Sequence, residues 1–276
     1  MIQTATAYES EVFSFGKEPV KRRMTYGEAA ACVRDGEAAA VLLEMLDPDG
    51  LDAWWSESAF PDIVQHKNFS TAATSGIAIG PIQRLENDKL ILGLIDYFAY
   101  AGKSNERLKQ TEFVKLCVRE LGASPVRIGD WAEFPLASRR EFVANEREPY
   151  SVGPHCDAIT FGRDVVNWPV KPEFDNGYDQ LSTVLTINEA NNGAGIVLWN
   201  LRPKSRAELD ELLDEFSKNQ RIARLEGTPS VTVRARAGQM TVLNTRLLHA
   251  VEQCASPRRT IGAFLLWDGD GWRMFH

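Results

Sequence analysis

Histidine is scarce in this chain: His66, His155, His249 and His276 are the only four in 276 residues. A site built on imidazoles therefore has few places to lie. Cysteine is equally scarce, with Cys32, Cys117, Cys156 and Cys254 far apart and without CxxC spacing. That disfavours a disulfide framework and leads us to expect a reduced, cytoplasmic protein. No apolar run approaches the ~20 residues that cross a bilayer, and the N-terminus lacks a signal-peptide core. Nor is there a basic stripe. Lys21-Arg22-Arg23 and Arg139-Arg140 are short and isolated, both read as solvated surface, and the formal charge is −7. Nucleic acid and membrane are thus not expected partners. Hydrophobic content of 44% and charged content of 25% are ordinary globular values that allow a substantial core. With neither an internal repeat nor a linker-like stretch, residues 1–276 are expected to form one domain.

What is present changes character along the chain. Residues 11–15 read as a short strand. Thr25 reads as an N-cap with Glu28 completing a capping box, predicting a helix over Tyr26–Arg34. Residues 38–43 are too short an apolar run for periodicity to decide between strand and helix. Leu51–Ser58 reads as a short helix, and residues 60–84 as a long loop or two short strands. Apolar spacing predicts helices over Lys89–Ala101 and Glu106–Leu121, the second closed by Gly122. From Pro125 the pattern becomes strand-like. Candidates are 126–128, 140–143, 155–161, 180–188, 195–201, 230–236, 239–244 and 260–267, interrupted by one helix that Ser205 caps. Helices first and about eight strands after predict a mainly β protein with α, a sandwich or jelly-roll barrel packed against helices. Residues 1–124 form the helix-rich part with a candidate substrate loop, 125–268 the barrel and 269–276 a tail.

Within Pro154-His155-Cys156-Asp157, the histidine and aspartate are two apart and share a face if the segment is extended. His249, arriving from a distant strand, would complete two imidazoles and one carboxylate. That set with open positions suits non-haem Fe(II), and it can also hold Zn²⁺. Beyond His249 comes Arg258-Arg259-Thr260 at the mouth of an apolar strand. An arginine entering a buried strand needs an anion, and its planar fork suits a carboxylate. Arg258 and Thr260 share a face on a regular strand; a bulge would bring Arg259 to that face instead.

Jointly, the HCD triplet, the LSTVLTINEANNGAGIVLWN segment and RAGQMTVLNTRLLHAVEQCASPRRTIGAFLLW resemble the Fe(II)/2-oxoglutarate-dependent oxygenases over roughly residues 125–268. In length and layout the chain is most similar to the N-succinyl amino-acid hydroxylases and related small-molecule halogenases. The resemblance implies a double-stranded β-helix with His155, Asp157 and His249 on Fe(II), and Arg258 and Thr260 on the far carboxylate of 2-oxoglutarate. Because Asp157 stands where halogenating relatives have Gly or Ala, it also implies hydroxylation, with O2 as the other co-substrate and succinate and CO2 as products. No catalytic side chain beyond the metal centre is implied.

The substrate implied is a small anionic molecule such as a free or N-succinyl amino acid. Gly80, Arg84, Arg163 and Arg202 match, approximately, the residues that bind its carboxylates in those hydroxylases. From the residues alone, each of these arginines could equally be a surface ion pair. Cys156 reads as a core residue between the ligands, Tyr150 and Trp199 as packing, and Asn188 and Asn244 as partners for strand-end backbone. Two other readings stay open. One is a metal-dependent hydrolase on the same three ligands, which leaves Arg258 without a purpose and lacks an evident general-base glutamate. The other is a non-catalytic jelly-roll binding module, against which the intact ligands argue. The N-terminal helices could pair protomers as a homodimer.

Overall fold

The computed structural model describes residues 5–65, 72–77, 82, 85, 87–128, 130, 132–144, 149–157 and 180–276. The chain opens with the antiparallel pair β1 (Ala7–Phe13) and β2 (Val20–Thr25). Thr25 then starts α1 (Tyr26–Arg34). Its hydroxyl accepts from the Glu28 N–H at 3.1 Å, and the Glu28 carboxylate accepts from the Thr25 N–H at 2.7 Å. The apolar run after it is a strand, β3 (Ala40–Glu44), because it has partners on both sides, β1 and a later strand. There follow α2 (Leu51–Trp55), β4 (Ile63–Gln65), β5 (Ala72–Ser75), α3 (Asn87–Leu108) and α4 (Glu112–Leu121).

The second half supplies β6 (Ser124–Pro125), β7 (Arg127–Ile128), β8 (Ala132–Glu133), β9 (Ser138–Phe142), β10 (Tyr150–His155), β11 (Gln180–Asn188) and β12 (Ile196–Trp199). After α5 (Arg206–Asn219) come β13 (Ser230–Val233), β14 (Gln239–Asn244), β15 (His249–Glu252), β16 (Arg258–Trp267) and β17 (Trp272–Phe275). The major sheet runs β2-β1-β3-β14-β11-β16-β9-β5-β4, and the minor sheet runs β10-β15-β12-β13. From β9 to β16 the chain passes back and forth between the two sheets, which is jelly-roll winding.

Alternation along the strands gives the major sheet two different faces. Leu181, Leu185 and Ile187 of β11 join Met240 and Val242 of β14 and Ile261, Ala263 and Leu265 of β16 in the core beneath α1 and α4. On that face the Tyr26 hydroxyl finds its partner in Thr183 of β11. The opposite face looks into the barrel, where Ala40, Leu42, Phe142 and Leu243 meet Ile196, Leu198, Val233 and Val251 of the minor sheet. Outside the minor sheet, α5 covers Trp199 and Ala250 through Leu209 and Leu212.

Several expectations need correction. The strand expected over 155–161 ends at His155, with residues 158–161 outside the described ones. The break between the long helices falls at 109–111 and not near Gly102, because Thr111 caps α4 through the Val114 N–H at 3.3 Å. The strands missed include β2, β8, β15 and β17: β15 is four residues long and begins just past a turn, and β17 lies in the expected tail. Arg139 and Arg140 are not solvated surface. Arg139 donates to the Pro61 carbonyl at 2.8 Å and lies over Trp55, while Arg140 is packed inside the barrel. Among the described residues no helix is long and apolar enough to cross a membrane.

Leu185 lies at 0% exposure between β11 and the helices, whereas Leu92 on α3 is 61% exposed. Leu185→Ala is expected to cost about 2–5 kcal/mol in urea unfolding. Leu92→Ala should stay within about 0.5 kcal/mol. Equal effects would contradict this assignment of the core.

Candidate metal centre

His155 and His249 are cross-strand partners at the ends of β10 and β15, with ring centroids 4.2 Å apart. His155 Nδ1 lies 2.8 Å from the Gly153 carbonyl, and His249 Nδ1 lies 2.9 Å from that of Leu247. A carbonyl only accepts, so each Nδ1 carries the proton and each neutral ring presents its Nε2 lone pair. Both Nε2 atoms face Asp157, at 3.8 Å and 3.5 Å from Oδ2. One ligand atom from each of the three lies within 4.8 Å of the others. Two neutral imidazoles and one carboxylate are a donor set that could hold a divalent metal with open positions.

Asp157 arrives there by a route the sequence did not show. It lies beyond the end of β10, so strand alternation does not direct it. Thr245, fully buried in the turn between β14 and β15, clamps it instead. The Asp157 N–H donates to the Thr245 carbonyl and the Thr245 hydroxyl donates to the Asp157 carbonyl, both at 3.0 Å. Cys156 faces the α5 side, as expected of a packing residue.

The site is a recess in the barrel. His155 and Asp157 keep 24% and 27% of their side-chain surface accessible, yet burial is the largest single influence on the titration of each. Burial, with His249 alongside, pushes the His155 pKa down to about 4. Burial acting alone would raise that of Asp157. The facing His155 and His249 and the charge of Arg140 outweigh it and hold the carboxyl well below its ordinary range.

Arg258 and Thr260 begin β16 and are each 2% exposed. Among the described residues Arg258 Nε and Nη1 are buried without a hydrogen-bond partner, and its guanidinium lies 5.7 Å from the Phe142 ring. Burial lowers the Arg258 pKa. Arg259 points to the other side, where it donates to Glu141 at 2.8 Å and lies over Trp55. Opposite Thr260 on β11 is Thr186, fully buried with an unpartnered hydroxyl. Opposite it on β9 is Arg140. Neither was singled out from the sequence. Alternation through Thr-Val-Leu-Thr could have marked Thr186, but nothing local distinguishes Arg140 from a surface arginine.

Arg202 is exposed just beyond β12, and Gly80, Arg84 and Arg163 lie outside the described residues. Tyr150 packs edge-on to Trp199 and beside Phe216, away from the recess. The Asn188 amide donates to the Pro257 carbonyl, and the Asn244 side chain accepts from the Arg246 N–H, both strand-end roles.

For the metal-free protein the lowered His155 pKa has a definite sign. Between pH 6.5 and about 4 the unfolded chain holds this proton and the folded one does not. Stability is therefore fully present above 6.5 and falls as pH drops toward 4. The lowered Asp157 pKa extends the loss below its ordinary value of 3.8. Urea unfolding at several pH values should show the slope, and His155→Phe should flatten its upper part; an unchanged slope would refute the assignment.

No protein-family model matches the sequence, and no curated protein matches it. Solved structures do. An N-substituted L-amino acid dioxygenase from Burkholderia ambifaria AMMD is 36% identical over 99% of this chain and 100% of its own, with a TM-score of 0.86. The same dioxygenase in complex with alpha-KG gives 36% identity, the same coverage and a TM-score of 0.82. This chain belongs to the family of that enzyme, the Fe(II)/2-oxoglutarate-dependent dioxygenases.

Proposed function

We propose that this dioxygenase hydroxylates an unactivated C–H of an N-substituted L-amino acid, with His155, Asp157 and His249 holding Fe(II). The observation that carries the reading is the convergence of two neutral Nε2 atoms and a carboxylate in the same barrel as a buried arginine with unused donors. Bound there, Fe(II) with 2-oxoglutarate and O2 supplies the oxidising chemistry, in which decarboxylation to succinate and CO2 accompanies insertion of a hydroxyl.

The chain's own part is to orient and to exclude water. The Gly153 and Leu247 carbonyls fix the tautomers, so both rings approach a metal as neutral donors. Thr245 fixes the backbone from which the third ligand projects. Arg258, whose Nε and Nη1 have no partner of their own among the described residues, grips the far carboxylate of 2-oxoglutarate, with the Thr260 hydroxyl beside it. Phe142, Val251 and Cys254 wall the interior with apolar surface. Gly80, Arg84, Arg163 and Arg202 bind the carboxylates of the substrate. Support for that class comes from the Burkholderia relative, described as acting on N-substituted L-amino acids.

Anaerobic addition of Fe(II) and 2-oxoglutarate is expected to give a weak visible absorption band that is absent in Asp157→Ala. Arg258→Gln should keep the metal but weaken 2-oxoglutarate by roughly ten- to a hundredfold. No band in the unaltered protein, together with no succinate from any amino-acid derivative, would overturn the reading.

For the substrate, N-acylated amino acids with and without a terminal carboxylate on the acyl group should be compared. Arg163→Ala is expected to lose the preference for the dicarboxylates while 2-oxoglutarate binding is unchanged. Unaltered selectivity would remove Arg163 from that role.

A further inference from the structure

Arg140 has so far been assigned neither to the metal nor to the co-substrate, yet its strand places it on the same face as Arg258 and Thr260. On β9 it is directly opposite Thr260 of β16 and Thr74 of β5, so its side chain leaves the sheet on the face that carries Thr260 and Arg258. Across the barrel its charge acts on both Asp157 and His155. Among the described residues its guanidinium makes one hydrogen bond, from Nη2 to His276 Nε2 at 3.3 Å, and no ion pair. It lies 6.0 Å from the Phe264 ring.

His276 is well placed to aim it. The ring stacks on Phe264 at 8° between planes, the backbone N–H donates to the Pro135 carbonyl, and the His276 carbonyl accepts from the buried Tyr97 hydroxyl. Because a guanidinium only donates, His276 Nε2 is the acceptor.

Arg140 is half-buried, and a cation held there without a paired carboxylate carries a desolvation cost; beside a bound dication it is also repelled. Both costs disappear if an anion lies between Arg140 and the metal. Asp157 balances one charge only, while Arg140, Arg258 and a divalent metal together bring four. A dicarboxylate long enough to run from Arg258 to the metal supplies two more negative charges, one at each end. Resting on the metal and co-substrate reading above, we propose that Arg140, aimed by His276, holds the carboxylate next to the keto group of 2-oxoglutarate. The co-substrate is then gripped at both ends, by Arg258 and Thr260 far from the metal and by Arg140 beside it. His276 is a positioning residue.

The test is anaerobic titration of the Fe(II)-loaded protein with 2-oxoglutarate, reading affinity and the position of the visible band, and separately the affinity for Fe(II) alone. Arg140→Gln is expected to weaken 2-oxoglutarate by roughly ten- to a hundredfold and to shift the band, with Fe(II) affinity retained or improved. His276→Ala should move both readouts in the same direction by less, and His276→Gln, which keeps an acceptor, should recover part of the effect. Should Arg140→Gln not fold, Arg140→Lys and the two His276 variants, which keep a cation in the barrel, carry the same readouts. Wild-type affinity and band position in these variants would overturn the proposal. So would a loss confined to Fe(II) binding, which would assign Arg140 to support of Asp157. A raised KM for the amino-acid derivative with unchanged 2-oxoglutarate binding would assign it to the substrate. Failure of the unaltered protein to give any band would instead strike at the functional reading.

Discussion

The antiparallel pairing of β10 with β15 is the constraint on which the site depends. It sets His155 opposite His249 although most of the barrel separates them in sequence. Strand side chains alternate, so a slip of one residue would turn one imidazole out toward α5. The register is not regular here: it shifts between Tyr150 and Val152 and again before His155. Such irregularities re-aim side chains and are common beside active sites. Each ring then accepts its orientation from a carbonyl two residues earlier in its own chain, so local backbone geometry sets the tautomer.

The major sheet can carry a polar inner face because its outer face is so thoroughly apolar. Leu181, Leu185, Ile261 and Leu265 are all fully buried beneath α1 and α4. On the inner side the unpartnered buried atoms include Ser138 Oγ, Thr186 Oγ1, Thr241 Oγ1 and two nitrogens of Arg258. Each such group costs about 1–3 kcal/mol, a cost core positions without a ligand seldom carry. Their gathering on one face reads as a cradle whose polar partner is a small molecule. A ligand that satisfies these atoms stabilises the folded state by mass action, so the cost falls only on the empty protein.

Much of this was legible in the residues. The capping box at Thr25 and Glu28, the extent of β11 and β14, the helix after Ser205 and the jelly-roll class all follow from local pattern, and the structure places them as expected. The scarcity of histidine narrowed the triad to residues that do converge. The reason given for Asp157 did not hold, because Thr245 and not strand alternation positions it. The structure separates Arg258 from Arg259, since Glu141 draws Arg259 to the opposite side. Arg140 was misread for a physical reason. Sequence shows an arginine beside another arginine, but only the pairing of β9 with β16 turns one toward Trp55 and the other into the barrel. Long-range register is what a local pattern lacks.

That register also bears on turnover. If Arg258 and Thr260 bind the far carboxylate as proposed, those contacts are common to 2-oxoglutarate and succinate and alone would hold co-substrate and product with similar strength. A second cation fixed on the neighbouring strand makes the grip sensitive to length, because rigid strands hold Arg140 and Thr260 directly opposite each other. Loss of one carboxyl carbon as CO2 leaves a four-carbon diacid that cannot keep both ends engaged. The product is still a dianion, but its two carboxylates are one carbon closer together, so it makes weaker contact with one of the two cations and departs more readily. With Arg140 as the second anchor, a fixed spacing of two cations that fits the five-carbon dianion would hold its four-carbon product less well.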